Sequence, residues 1–362
     1  MTATDPRLPG VTANVNYDYT GVGSAIELQR INATDTKFRY NWALGLSQHS
    51  YEMDDAVLDP RGERVRVGYV RGHAEWSLAQ RWTAHLGALV EKSSDATIRM
   101  SPRMALVWEP NSTDAWRATV SSAWRSPSVF ERFPDETVRV DGASIPPMFG
   151  GPYPGKPVAV KRYIPNPSLH AEHLRSAEFG WHRQRPDGGY IQARAYLERI
   201  DDTILRSKSP YTAQLIGNST TQYVNGPAFT IRGLEVSARE TLANGGWIGA
   251  WWVAQNATSH NRLLEQSTPH INIGVNAMTP VGKWQLGLSI QHHGAVRWLD
   301  GSGELDGDTA STVQLSRAIR LQPTGGRLRL AIGMRQLLEP RRAYESRDEI
   351  GRALYVSVAG EF

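Results

Sequence analysis

Lys283-Trp-Gln-Leu-Gly-Leu-Ser-Ile-Gln291 places Trp284, Leu286, Leu288 and Ile290 on one side of an extended chain and Gln285, Gly287, Ser289 and Gln291 on the other. Successive side chains of a strand point to opposite faces, so the stretch reads as a strand with one apolar and one polar face. The pattern returns at Trp82, Ala84, Leu86, Ala88 and Val90, at Leu328, Leu330, Ile332 and Met334, and at Leu354, Val356 and Val358. Each series is interleaved with polar or small residues, and helical spacing is not sustained anywhere.

The punctuation between strands is more specific. Compact turns at Pro110-Asn111-Ser112, Pro186-Asp187-Gly188, Asn244-Gly245-Gly246, Pro280-Val281-Gly282 and Thr324-Gly325-Gly326, with another at Leu78-Ala79-Gln80, alternate with long connections at 49–63, 92–100, 126–172, 201–222, 258–269, 296–310 and 338–350. Short periplasmic turns opposite long extracellular loops are the layout of an outer-membrane barrel, and the spacing yields about 16 strands of about 10 residues. The first strand is expected over residues 11–19. Trp76, Trp82, Trp108, Trp116, Trp181, Trp247 and Trp284 all fall near short turns and are expected to form one interfacial belt. A soluble sandwich or propeller would bury such tryptophans. The Gln, Ser, Arg, Glu and Gly that recur on the other face suit a wet lumen better than a dry core.

Composition narrows the functional classes. The chain has 362 residues, 40 Lys+Arg against 36 Asp+Glu, no cysteine and a mean hydropathy of −0.43. Absence of cysteine excludes disulfides and thiolate metal sites. The basic residues are scattered singly, which is not a nucleic-acid stripe. No apolar run approaches the roughly 20 residues of a membrane helix, whereas barrel strands need apolar residues only at alternate positions. No nucleophile elbow, phosphate loop or metalloprotease motif is present, so the reading is not that of an enzyme, and no cofactor is expected. His170 and His173 lack further ligands, and adjacent His292 and His293 point to opposite faces of a strand, so no metal site is assigned. Asp54-Asp55 and Asp201-Asp202 fall in predicted loops, where acidic pairs are solvated.

Several segments resemble a family. Ser101-Pro-Arg-Met-Ala-Leu-Val-Trp-Glu-Pro110 and Trp116-Arg-Ala-Thr-Val-Ser-Ser-Ala-Trp-Arg-Ser-Pro-Ser-Val-Phe-Glu131 resemble paired strands of TonB-dependent receptors that end in Arg-x-Pro-x-x-x-Glu, here Arg125, Pro127 and Glu131. Asn166-Pro-Ser-Leu-His-Ala-Glu172, with Asn166, Pro167 and Glu172, followed by Ser176-Ala-Glu178, is similar to the family's segment before the next strand. Ala195-Tyr-Leu-Glu-Arg-Ile-Asp-Asp-Thr-Ile204 and Asn225-Gly-Pro-Ala-Phe-Thr-Ile-Arg-Gly-Leu-Glu235, with Gly233 and Glu235, match the following strands in order, and Phe362 closes the chain. The resemblance spans about residues 65–362.

It implies an all-β, antiparallel transmembrane barrel in the bacterial outer membrane, a single unit over 1–362 showing about 16 of the about 22 strands of a receptor that encloses a plug. It also implies TonB-energised uptake of a scarce nutrient such as a ferric siderophore. The expected partners are outer-membrane lipid, the barrel-assembly machinery reading Phe362, a small chelate, and the TonB complex acting through a plug, with no nucleic acid. No plug or coupling segment is visible, so a truncated form not competent for uptake alone is expected. A non-energised pore or structural barrel is the alternative. Arg125 is expected to pair with a neighbouring strand's carboxylate such as Glu178. Phe130, Phe133, Met148, Phe149, Tyr153 and Tyr163, on the long loop from 126 to 172, are the candidate ligand contacts, because exposed rings offer contact area at little entropic cost.

Overall fold

The computed structural model describes residues 2–4, 12–14, 19–35, 37–53, 63–94, 97–145, 147, 151–152, 154, 157–210, 219–297, 303–320, 326–338, 341–343 and 348–361. Fifteen strands form one antiparallel sheet: β1 (Tyr19–Asn32), β2 (Phe38–Met53), β3 (Glu63–Ala79), β4 (Trp82–Ser93), β5 (Arg99–Trp108), β6 (Asp114–Arg125), β7 (Glu172–Gln184), β8 (Tyr190–Asp201), β9 (Phe229–Thr241), β10 (Trp247–Ser259), β11 (Ile271–Val281), β12 (Trp284–His293), β13 (Asp308–Arg320), β14 (Arg327–Arg335) and β15 (Ala353–Glu361). Every strand pairs with its sequence neighbours, so the sheet is an up-and-down meander. Among the described residues no pairing joins β1 to β15.

The sequence expectation of about 16 strands becomes 15, and the first differs in place. Residues 12–14 lie outside the large sheet. They pair with 2–4 and with 137–141, and 137–141 pairs with 157–161, making a separate four-stranded sheet within the long-loop layer.

The short turns follow their chemistry. Asp187 and Asn244 each accept, through Oδ1, the backbone N–H two residues on, at 3.0 and 2.9 Å. Gly188 and Gly245 occupy positive φ, +84° and +80°, which a side chain would strain. These turns, with 33–35, 80–81, 109–113 and 282–283, share one end of the meander, and the strand ends that lead into the long connections lie at the other.

The sheet carries its apolar residues outward. Leu288, Leu197, Phe179, Leu234, Ile332 and Val356 are exposed on one face, an arrangement that water disfavours and a lipid surround explains. The buried aliphatic side chains larger than alanine instead gather among the long connections, at Val140, Ile145, Val158, Leu169, Ile204, Leu205 and Leu264. No helix among the described residues is long and apolar enough to cross a membrane.

Near the short turns Trp82, Trp108, Trp116 and Trp181 lie directly opposite one another on four successive strands, with Trp82 stacked on Trp108 at 5.7 Å and Trp116 beside Trp181 at 6.0 Å. Trp247 does not join this belt. It neighbours the exposed Ile248, so alternation turns it to the inner face, where Arg239 covers its ring at 4.6 Å.

The inner face repeats a three-strand device. Tyr69 lies over Gly45 and donates its hydroxyl to Glu27 at 2.6 Å; Tyr196 lies over Gly233 and donates to Gln255 at 2.6 Å; Tyr355 lies over Gly333 and donates to Gln314 at 3.0 Å. In each row the three residues are in direct cross-strand register. The glycine leaves room for the ring, and the phenol reaches the third strand. A Cβ at Gly233 would sit 2.4 Å from Tyr196 Cζ. Gly233→Val is therefore expected to destabilise by about 1–3 kcal/mol through overpacking, whereas Tyr196→Phe loses one hydrogen bond, about 1 kcal/mol. Urea unfolding of the two refolded variants checks the ordering.

Candidate functional site

The motif residues converge where β6 and β7 enter the long-loop layer. Arg125 ends β6 directly opposite Glu172, the first residue of β7. Its guanidinium pairs with Glu172 and, through Nη1, with both oxygens of Glu131, at 3.1 and 3.0 Å. Glu172 also accepts the Ile204 backbone N–H at 2.7 Å. The partner expected for Arg125, Glu178, is bound elsewhere, 3.4 Å from Arg194, because Glu178 lies three inward positions further along β7.

Pro127 leads into helix α1 (Val129–Arg132), closed at its start by a capping box: Ser128 Oγ accepts the Glu131 N–H at 3.1 Å, and Glu131 Oε2 accepts the Ser128 N–H at 2.7 Å. Burial alone would push the Glu131 carboxyl up, but the hydrogen bonds from Arg125 and from the Ser128 backbone outweigh it and hold the group below the ordinary glutamate range. A lowered folded value contributes stability that is present above the unfolded value and lost as pH falls through the folded one. Loop order around α1 should therefore weaken in acid, and Glu131→Gln should flatten that dependence in a protease-sensitivity titration.

The second motif clamps the neighbouring loops. Asn166 donates its backbone N–H to Arg132 O and its side-chain amide to Tyr223 O, both at 2.8 Å. Leu169 is buried, and His170 N–H donates to Asn225 Oδ1 at 2.7 Å. Gly233 and Glu235 belong to the barrel wall: Gly233 accommodates Tyr196, and Glu235 takes a two-point bond from Arg194 at 3.0 and 3.1 Å.

On this frame stands an aromatic cluster. Phe130 of α1 meets Tyr163 edge-on at 5.6 Å and Tyr223 edge-on at 6.1 Å, and Tyr163 stacks on Tyr223 at 6.0 Å. Burial pushes the Tyr223 phenol up to about 12, so it stays neutral. Tyr223 belongs to the hairpin of Ile204–Pro210 and Ser219–Asn225, which rises from the connection between β8 and β9. The sequence reading missed it. Its signal was the strand-like Thr220-Thr-Gln-Tyr-Val224, which runs across the expected end of the 201–222 connection. Phe133 faces Arg132 at 5.5 Å. Met148, Phe149 and Tyr153, and Phe362 at the terminus, lie outside the described residues.

His173 stacks on Trp124 at 3.9 Å with Nε2 2.7 Å from Ser122 Oγ, and His292 and His293 contact Thr309 and Asn272 respectively. Among the described residues no three His, Cys, Asp or Glu side chains are grouped to hold a metal ion.

A family profile described as "TonB dependent receptor-like, beta-barrel" matches residues 4–335. The chain belongs to the TonB-dependent receptor family. Its fold is a transmembrane β-barrel of the Gram-negative outer membrane, and the receptors of this family are transporters, not enzymes.

Solved structures of similar fold include the siderophore receptor PirA from Pseudomonas aeruginosa, with a TM-score of 0.71 at 15% identity over 97% of this chain and 59% of that one. A ferric enterobactin receptor (PfeA) mutant from the same organism gives 0.68 at 14% over 95% and 54%, and the copper transporter OprC gives 0.69 at 14% over 96% and 60%. The chain thus spans little more than half the length of these proteins. No curated protein matches the sequence.

Proposed function

We propose that this receptor barrel serves TonB-energised uptake of a scarce nutrient, a ferric siderophore or related metal chelate, captured at the long-loop end. The supporting observation is the Phe130–Tyr163–Tyr223 cluster, mounted on the Arg125–Glu131–Glu172 frame above a polar inner wall. Rigid aromatic groups present contact area to the apolar and aromatic parts of such a ligand at little entropic cost. Phe133, Met148, Phe149 and Tyr153 complete the proposed ligand loop. Phe362 is proposed as the signal to the barrel-assembly machinery, and the TonB complex would act through a lumen-blocking plug.

Quenching of intrinsic fluorescence by ferric enterobactin tests the capture step. Phe130→Ala with Tyr223→Ala is expected to weaken binding at least tenfold while the barrel stays heat-modifiable. Unchanged quenching would remove the loop from the ligand site. Cells expressing residues 1–362 alone are expected to show no TonB-dependent import, since coupling needs an element that blocks and releases the lumen. Saturable, TonB-dependent import in such cells would overturn the requirement for a separate lumen-blocking plug.

A further inference from the structure

We propose that the outer surface of β6–β9 carries a binding site for a membrane lipid with a phosphate headgroup, Arg175, Arg199 and Arg232 holding the phosphate and an apolar furrow beneath them holding an acyl chain. The inference rests on the reading that this face meets lipid and is independent of the transported ligand.

Alternation along the strands puts the three arginines outside. Arg175 follows the outward series Trp181, Phe179 and Ala177 on β7, Arg199 the series Ala193, Ala195 and Leu197 on β8, and Arg232 the series Val236 and Leu234 on β9. All three are exposed at the long-loop edge of the apolar band. Arg175 and Arg199 are directly opposite across β7 and β8, a like-charge pair that is unfavourable by itself. Arg232 is opposite Leu197, one outward row lower.

The negative charge supplied there is insufficient. Asp201 takes Arg175 Nη2 at 2.5 Å and Arg199 Nε at 2.9 Å, while Arg232 has no carboxylate partner among the described residues. Three guanidiniums against one carboxylate leave two positive charges on a lipid-facing edge. Guanidinium groups bind phosphate through charge-assisted, two-point hydrogen bonds, and basic patches at a membrane surface recruit anionic headgroups.

A second, independent feature lies directly below. Ala177 and Leu197, the next outward residues from Arg175 and Arg199, border a recess of about 650 Å³. Ala118, Ala177 and Ala195 form its low floor, and Met104, Phe179 and Leu197 stand among its walls. Small residues on three adjacent strands, flanked by large ones, shape a furrow that continues the arginine cluster towards the membrane centre. A free anion would use the cluster and leave the furrow empty; a lipid uses both.

Native mass spectrometry of the full chain in a zwitterionic detergent, titrated with dipalmitoyl phosphatidylglycerol, dipalmitoyl phosphatidylcholine or inorganic phosphate, tests the site. Phosphatidylglycerol is expected to bind at least tenfold more tightly than phosphatidylcholine. Arg199→Gln with Arg232→Gln should bring it to the phosphatidylcholine level, and Ala195→Phe should weaken both lipids. The arginine pair lies on the exposed rim and decides alone if the furrow variant folds poorly. Heat-modifiability of the same samples reports barrel integrity separately. Equal binding of the two lipids, retained selectivity in the arginine variant, or displacement of phosphatidylglycerol by equimolar inorganic phosphate would overturn the proposal.

Discussion

Replacing Leu288 by Arg should lower the stability of the refolded barrel by roughly 2–4 kcal/mol, the range for a basic residue near the bilayer midplane. Leu288 sits mid-strand on β12 with Ala277 and Val313 opposite it on the flanking strands, all on the outward face. A guanidinium there finds neither water nor an acid. Its neighbour Ser289 lies between Asn276 and Thr312 on the inner face, where an arginine is solvated. Ser289→Arg should shift stability by no more than about 0.5 kcal/mol. Denaturant unfolding in lipid vesicles gives both values from the same kind of transition. Equal losses at the two positions would mean that the assigned faces are wrong, and the membrane argument would go with them.

The same one-residue alternation explains where the sequence was legible and where it was not. A strand such as β12 declares its two faces because every second residue is apolar over its whole length, and the turns at Asp187-Gly188 and Asn244-Gly245 announce themselves through side-chain acceptors followed by glycine. Trp247 misled because nearness to a turn says nothing of parity, and a shift of one residue changes the face. The partner of Arg125 depended on stagger between strands separated by 46 residues of loop, which no local pattern encodes. The place of residues 12–14 was unreadable for a similar reason, since besides their local pairing with 2–4 they pair with residues 137–141, far away in sequence. Tyr223 escaped because a three-ring cluster is a tertiary fact: Phe130, Tyr163 and Tyr223 come from separate parts of two long connections. The family motifs were visible as spacing, but their reasons were not. Asn166 is a clamp between loops, Leu169 fills the loop core, and Glu172 joins β6, β7 and the next hairpin.

That frame makes Arg125→Glu the substitution with the largest expected effect on the long loops. Arg125 is about half exposed, 49% by side chain, while the carboxylates it serves are more sheltered, 17% for Glu131 and 16% for Glu172. Exposed ion pairs contribute about 0–1 kcal/mol, and stripping the partner from a fully buried one costs about 3–5 kcal/mol. The intermediate burial here places Arg125→Ala near 2 kcal/mol, roughly midway between those limits. Glutamate goes further, because it sets three carboxylates together at the point where α1, β7 and the Ile204–Pro210 strand meet. The loss should be local: the β6–β7 connection opens while the outward apolar band still holds the sheet in lipid. Limited proteolysis is therefore expected to cut within residues 126–171 of Arg125→Glu at least tenfold faster than in the parent chain, with heat-modifiability retained. Arg125→Lys should fall between the two, since a single ammonium lacks the planar fork that engages both carboxylates. Adding Glu172→Gln to Arg125→Ala should recover part of the protection by removing one unpaired charge, although the Ile204 N–H still finds an amide oxygen to accept it. If cleavage of Arg125→Glu matched the parent, the ion-pair frame would be a bystander and the aromatic cluster would owe its position to Asn166 and Leu169 alone.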